Sequence, residues 1–170
     1  VVFMANIGNP AALAPALISF VRNGGGLFLS LGDNVTSERY NSALSELLPA
    51  PLRKIEVLSS PRVPGERTKL PNTDLSIFKP FQRGGLDNFN QVRWNRIFSV
   101  EPFESSEENK VLLELANGMP LLIEKKVGQG HVFLLTSTID DEWGNLPLQG
   151  SFLPLIQRSI PYLGGSSSMG

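Results

Sequence analysis

The sequence predicts an α/β domain in which a parallel βαβ start is extended by an antiparallel meander and closed by a C-terminal helix. Residues 1–6 and 27–31 are short apolar runs typical of buried strands, and a helical pattern separates them. Strand–helix–strand units of this length, about 30 residues, pair their strands in parallel. Later in the chain, Asn117-Gly118 and Gly128-Gln129-Gly130 are turn signals between alternating segments. Helical apolar spacing over residues 152–163 predicts the closing helix.

The first helix is predicted to begin at Asn9 and to end at Gly24-Gly25-Gly26. Asn9 is the expected N-cap and Pro10 the first helical residue, because both residue types favour these positions. Pro15 must either kink the helix or mark the start of its regular part. The apolar stripe of this helix consists of Ala12, Leu13, Ala16, Leu17, Phe20 and Val21.

A second helix is predicted after the strand at residues 27–31. It is expected to start from a cap at Thr36 or Ser37 and to run through Leu48. Residues 53–58 then alternate polar and apolar side chains, as a strand near a sheet edge does.

The middle of the chain is predicted to form a segment outside the compact α/β body. Residues 59–90 carry several prolines and glycines and scattered charges, which indicates an insertion or a long loop. The apolar segment at 75–81 is expected to anchor this excursion to the body. A further strand is predicted over residues 92–100.

The length of 170 residues corresponds to about one domain. We expect residues 1–163 to form a single α/β domain and residues 164–170, rich in Gly and Ser, to form a flexible tail. A chain that opens on an apolar run without a signal-peptide pattern is expected to be excised from a larger protein.

Composition excludes several kinds of function. The formal net charge is −1, from 15 Lys and Arg against 16 Asp and Glu, so no nucleic-acid partner is expected. The sequence contains no Cys and one His, His131. Thiolate chemistry and multi-histidine metal sites are therefore excluded, and neither a cofactor nor a bound metal is predicted. His131, directly after a glycine turn, is interpreted as a turn or edge residue, with a general base as the alternative.

Polar residues follow several predicted strands at the point where each strand ends. In open α/β sheets, ligands bind beyond these carboxyl ends. One interpretation is a small-molecule or metal pocket, and the other is that the side chains cap loops and helix starts. The candidate rim residues are Asn6, Asp33, Asn34, Thr138, Asp140 and Asp141.

The order of these segments resembles class I glutamine amidotransferase-like domains, which have a three-layer, flavodoxin-like sheet. The resemblance starts with Ala5-Asn6, the helix ending at Phe20 to Gly26, and the strand ending at Gly32-Asp33. A more specific similarity is to the domains of bacterial membrane proteins with an aerotolerance-type N-terminal membrane segment and a von Willebrand factor A-like region. It is carried by the segments 78–81, 127–132, 136–140, 143–148 and 152–155.

The resemblance also implies a loss of catalysis. Active members carry a nucleophilic Cys on a strand-to-helix elbow, and the matching elbow here is Leu31-Gly32-Asp33-Asn34. Without Cys, glutamine hydrolysis through a thioester is chemically inaccessible, so no catalytic residue is assigned. The family's early strands are absent ahead of Val1, which implies that residues 1–6 lie inside the complete sheet.

The resulting hypothesis is a non-catalytic interaction or ligand-sensing module of a bacterial membrane-anchored protein. Its expected partners are proteins or other domains of the same chain, and it meets the membrane only through segments outside residues 1–170. The resemblance implies the extracytoplasmic face of the inner membrane. The alternative hypothesis is a metal-assisted hydrolase that uses the rim carboxylates Asp33 and Asp140 or Asp141.

Overall fold

The computed structural model describes residues 1–70, 78, 92–139 and 142–144. The predicted closing helix at 152–163, the tail at 164–170 and most of the 59–90 excursion lie outside the described residues. The described elements are, in chain order, β1 (Val2–Ala5), α1 (Ala14–Arg22), β2 (Gly26–Ser30), α2 (Ser37–Ala43), β3 (Leu52–Val57), β4 (Glu66–Arg67), β5 (Arg93–Trp94), β6 (Arg96–Val100), β7 (Asn109–Glu114), β8 (Pro120–Val127) and β9 (Gly130–Leu135).

Five strands form one open sheet in the order β1-β2-β9-β8-β7. β2 pairs in parallel with both β1 and β9, whereas β8 is antiparallel to β9 and to β7. The prediction of a mixed α/β sheet with a parallel start and an antiparallel meander is therefore confirmed. β9 is the strand where the two parts meet, so residues that follow it lie at the same edge as those that follow β1 and β2.

Both faces of this sheet are buried by apolar side chains that alternate along the strands. On one face, α1 and α2 contribute Val21 and Tyr40 to a core with strand residues such as Leu29 and Leu134. On the other face, Phe28 and Phe133 belong to a second core that also contains Phe78, Val92, Trp94, Leu122 and Leu135. Because successive strand residues point to opposite faces, each central strand supplies both cores.

α1 begins later than predicted, at Ala14. The prediction of Asn9 as N-cap is wrong, because its Oδ1 accepts a hydrogen bond from the N–H of Ala11 at 3.3 Å within a turn ahead of the helix. Pro15 lies in the first turn of α1, where its missing N–H costs no helical hydrogen bond. Pro15 therefore marks the start of the regular helix and does not kink it.

α2 has the predicted cap but is shorter than predicted. The Thr36 side chain accepts from the N–H of Arg39 at 3.4 Å, as an N-cap does. The helix ends at Ala43 instead of Leu48. Beyond it, the N–H of Leu47 bonds the carbonyl of Leu44 at 2.9 Å in a tighter turn, which brings Leu44, Leu47 and Leu48 into the core without further helix.

β1 is not the fully buried strand that its apolar sequence predicts. Met4 is buried, whereas Val2 and Phe3 are 37% and 40% exposed. The reason is its position, because β1 is the edge strand of the described sheet and has one strand neighbour, β2.

The predicted strand at 53–58 forms, but it pairs outside the main sheet. β3 and β6 make a separate antiparallel ladder, and β4 pairs with β5. The predicted strand at 92–100 is divided at Asn95, whose N–H donates to the carbonyl of Trp143 at 2.6 Å. This division directs β5 and β6 to different partner strands.

Candidate functional site

The turn after β1 and the turn after β2 meet at the predicted rim. Asn6 has a φ of +52°, a left-handed conformation that Asn tolerates better than most residues. Its Oδ1 accepts the N–H of Asn34 at 2.9 Å, and the Asn34 side-chain amide reaches the Asn6 carbonyl at 3.5 Å. Gly32 is required beneath them, since a Cβ there would lie 2.5 Å from the Asn6 side chain.

Asp33, at the strand-to-helix elbow, is engaged by two donors. Its Oδ1 accepts a hydrogen bond from the indole N–H of Trp143 at 3.2 Å and lies 3.7 Å from Arg96 Nη1. The backbone N–H of Trp143 in turn donates to Thr138 Oγ1 at 3.1 Å. Trp143 thus connects two of the predicted rim residues, although the carboxylate of Asp33 remains more than half exposed.

Tyr40 joins α2 to the loop that follows β1, next to the predicted rim residues. Its buried hydroxyl donates to the carbonyl of Ile7 at 2.6 Å. Burial raises the pKa of Tyr40 to about 12, and the hydrogen bond to Ile7 opposes this rise. The phenol therefore stays protonated and acts as a donor that joins α2 to the loop after β1.

The structure brings together four of the six predicted rim residues, in two pairs. Asn6 and Asn34 are used to cap each other's turns, which agrees with the loop-capping interpretation. Asp33 and Thr138 are linked through Trp143. Asp140 and Asp141 lie outside the described residues. Within the described part of the chain, no group of three or more His, Asp or Glu side chains is arranged to hold a metal ion.

Two contacts at the rim were not predicted from the sequence. Trp143 packs a corner, as expected, with its ring 5.8 Å from that of Phe98, but its donation to Asp33 has no local sequence signal. Arg96 reaches Asp33 across the fold from β6. Both partners are more than 60 residues away from Asp33 in sequence, so only the tertiary fold reveals these contacts.

A charged cluster lies at the opposite end of the sheet, where the parallel strands begin. Glu124 on β8 is fully buried, with Lys110 Nζ 3.6 Å from Oε1 and His131 Nδ1 3.8 Å from Oε2. Burial lowers the pKa of His131, the Glu124 carboxylate opposes this decrease, and Lys126 and Lys110 add to it. His131 lies directly after the predicted glycine turn, but its strand β9 lies between β2 and β8, so the interpretation as a residue on an edge strand is wrong. Lys110 is the register partner of Glu124 on β7, whereas on β9 its register partner is Phe133 and His131 approaches it diagonally, so the cluster depends on strand register and has no local sequence signal.

No helix in the described ranges is both long and apolar enough to cross a membrane.

The fold and the rim together define an α/β domain with an open, mixed sheet whose polar residues gather beyond the carboxyl ends of β1, β2 and β9. No family model matches the chain, and no curated protein matches it. The chain is similar to a cytoplasmic protein from Salmonella typhimurium, with a TM-score of 0.67 and 17% identity over 88% of this chain and 59% of the other. A second cytoplasmic protein, from Salmonella typhimurium LT2, matches with a TM-score of 0.60 and 20% identity over 89% of this chain and 58% of that protein.

The β-galactosidase from Rahnella sp. R3 contains a similar fold, with a TM-score of 0.58 and 12% identity over 88% of this chain and 20% of that enzyme. The chain thus spans about three fifths of the two Salmonella proteins and one fifth of this glycosidase. These similarities establish the fold.

Proposed function

We propose that this chain is a non-catalytic, amidotransferase-like module that serves protein–protein interaction or ligand sensing. The proposal assigns it to the three-layer, flavodoxin-like domains of bacterial membrane-anchored proteins. A parallel βαβ unit followed by an antiparallel meander supports this assignment, as do the apolar cores on both faces of the sheet. Other domains of the same chain or separate proteins are its proposed partners, and the extracytoplasmic face of the inner membrane is its proposed location.

The observation that carries the proposal is the environment of Asp33 at the elbow. An amidotransferase requires a thiolate nucleophile at this position, and the sequence contains no Cys. The Asp33 carboxylate is instead oriented by the indole N–H of Trp143 and by Arg96. The adjacent Asn34 is bonded to Asn6. These contacts give Asp33 and Asn34 a role in holding loops together.

A glutaminase assay tests the proposal directly. We expect no hydrolysis of glutamine above the buffer rate by the wild-type chain. Glutamine hydrolysis that the Asp33→Ala variant abolishes would refute the proposal. Asp33→Asn is the matched variant, since it retains an acceptor for the Trp143 indole while it removes the negative charge, and it should leave the fold intact as judged by circular dichroism.

The alternative proposal, a metal-assisted hydrolase using Asp33 with Asp140 or Asp141, rests on the exposed carboxylate of Asp33 at the rim. The nearby Arg96 guanidinium disfavours a divalent cation at the same oxygen. Thermal unfolding in Mg²⁺, Ca²⁺, Mn²⁺ and Zn²⁺ separates the two proposals. A rise in midpoint that is present in the wild type and absent from Asp33→Asn would favour the hydrolase.

A further inference from the structure

An apolar groove lies at the end of the sheet opposite to β1. It is formed between the chain that follows β6 and the hairpin that joins β7 to β8, and its volume is about 370 Å³. Its walls include Val100, Phe103, Val111, Met119 and Pro120. This volume falls within the range of known ligand pockets, about 300–1,000 Å³.

The floor of this groove is a continuation of the core. Phe103 and Val111 are partly buried and pack against the core beneath α1 and α2. On the far side, the hairpin turns at Gly118, whose φ of +90° favours glycine. The N–H of Gly118 donates to the carbonyl of Leu115 at 2.8 Å, and the N–H of Leu115 donates to the carbonyl of Met119 at 2.9 Å. The groove is thus preformed by backbone hydrogen bonds on one side and core packing on the other.

An acidic loop borders the groove. Residues 101–108 contain Glu101, Glu104, Glu107 and Glu108, all exposed, and no Lys or Arg. The loop starts in the groove wall at Glu101 and ends where the carbonyl of Glu108 accepts the N–H of Lys126 at 2.8 Å, so it follows the length of β7. We call it the 101–108 loop.

The charge of the 101–108 loop is compensated only in part, by Arg53 near Glu101 and by Lys125, which interacts electrostatically with Glu108. Glu101 lies 3.8 Å from Arg53, and both side chains are about half exposed. Among the residues that the structure describes, Glu104 and Glu107 have no basic group within ion-pair distance. The loop carries four carboxylates, of which Glu101 lines the groove, and this negative charge attracts cations and repels nucleic acids, acidic lipids and fatty acids.

From this combination we infer that the groove between the 101–108 loop and the β7–β8 hairpin docks a peptide segment with an apolar centre and flanking Lys or Arg residues. The inference rests on the proposed function and names its partner chemistry. The apolar centre would displace water from the Phe103 wall, and the basic flanks would face Glu104 and Glu107. Complementary charge speeds encounter and selects the partner, whereas the buried apolar contact supplies most of the affinity.

Fluorescence anisotropy with three labelled octapeptides tests this inference. The first carries Phe-Leu between three Lys residues on each side, the second replaces Phe-Leu by Ser-Ser, and the third replaces every Lys by Glu. The first peptide should bind the wild-type chain, and raising the salt from 50 to 300 mM should weaken it because exposed charges are screened. The other two should bind at least about tenfold more weakly.

Variants then locate the site. The double variant Glu104→Gln/Glu107→Gln should weaken the first peptide by about fivefold at 50 mM salt and flatten its salt dependence. Phe103→Ala should weaken it by about tenfold. Met119→Ser is the second groove variant if Phe103→Ala does not fold. Glu38→Gln, on α2 and outside the groove lining, removes one exposed carboxylate as a control and should leave affinity unchanged.

Several results would overturn the inference. No binding of the first peptide, equal binding of the Ser-Ser peptide, or indifference to the groove variants would each contradict it. Sedimentation that shows a second copy of the chain occupying the groove, sensitive to Met119→Ser, would also contradict it. None of these results would restore glutamine hydrolysis, so the glutaminase assay on the same samples distinguishes failure of this inference from failure of the proposed function.

Discussion

Replacing Glu124 by Gln should lower the proton affinity of His131. The Glu124 carboxylate is fully buried on β8, and one oxygen lies 3.8 Å from His131 Nδ1 on β9. Burial lowers the pKa of His131, and Glu124 is the group that opposes this decrease. Gln has almost the same shape without the charge, so the variant removes the opposing interaction with little change in packing.

The distance sets the size of the effect. Two unit charges 3.8 Å apart attract by about 1 kcal/mol at the dielectric constant of water and by about 4 kcal/mol at an effective value of about 20. Because the His131 ring is partly exposed, solvent screens its charge and the expected effect is the lower figure. It corresponds to a roughly sixfold loss of proton affinity, because about 1.4 kcal/mol equals a factor of ten.

Proton NMR measures this effect without ambiguity, because His131 is the only histidine in the sequence. Its ring Cε1 proton is titrated against pH in wild type and in Glu124→Gln. Lys126→Gln is the matched variant of opposite sign, since Lys126 lowers the pKa of His131 and its removal should raise it. Glu38→Gln on α2 should leave the titration unchanged.

An unchanged or raised imidazole pKa in Glu124→Gln would refute the reasoning. Either result would mean that the carboxylate does not interact with His131 as the 3.8 Å separation requires. Retention of the wild-type circular dichroism spectrum is needed for this comparison, and the variant with Lys126 replaced serves as a second check on the sign.

Three further predictions concern stability. The folded-state pKa of His131 is lowered, so the unfolded state takes up a proton at higher pH than the folded state does, starting near pH 6.5. The contribution of His131 to the free energy of unfolding is therefore complete above about pH 6.5 and should be lost as the pH falls through the lowered pKa. His131→Gln should remove this part of the pH dependence, measured by urea denaturation at several pH values. Gly130→Ala should lower the free energy of unfolding by more than about 2 kcal/mol, because the added Cβ would collide with the backbone carbonyls of Val21 on α1 and of Gly25 just before β2. In Gly118→Ala the added Cβ meets no atom, so this variant should lose only about 1 kcal/mol, for its positive φ. Equal losses in the two variants would contradict this reasoning. Trp94→Phe should lower the free energy of unfolding by about 1–3 kcal/mol, since it removes the 2.8 Å hydrogen bond from the indole N–H to Thr68 Oγ1 in the second core. A variant as stable as the wild type would show that this hydrogen bond contributes nothing to stability.

The main sheet was largely predictable because its signals are local. Apolar runs at β1 and β2, with a helical stripe between them, are sufficient for a parallel unit. Asn117-Gly118 favours the turn that joins β7 and β8, and Gly128 has the positive φ that its turn signal implies. The position of a strand within the sheet is a non-local property, however, and the apolar sequence of β1 incorrectly predicted a buried strand.

The candidate site was predictable only in part. The predicted topology brings Asn6 and Asn34 to one edge of the sheet, and the structure joins them by hydrogen bonds. Chain order does not show which side chain Asp33 meets, because Arg96 and Trp143 belong to segments that reach it through the fold. The buried Glu124 was missed for a similar reason, since its partners lie on the two neighbouring strands.

Sequence alone is enough for the α/β class, for a parallel start followed by an antiparallel meander, and for the exclusion of thiol chemistry. These follow from residue spacing and composition, which act within one or two elements. The tertiary structure alone decided that Asp33 is held by Arg96 and Trp143, that Glu124 is buried between Lys110 and His131, and that an apolar groove lies beside the 101–108 loop. Such features arise where distant segments come within a few ångströms of each other, and burial and Coulomb attraction depend on that distance rather than on separation along the chain.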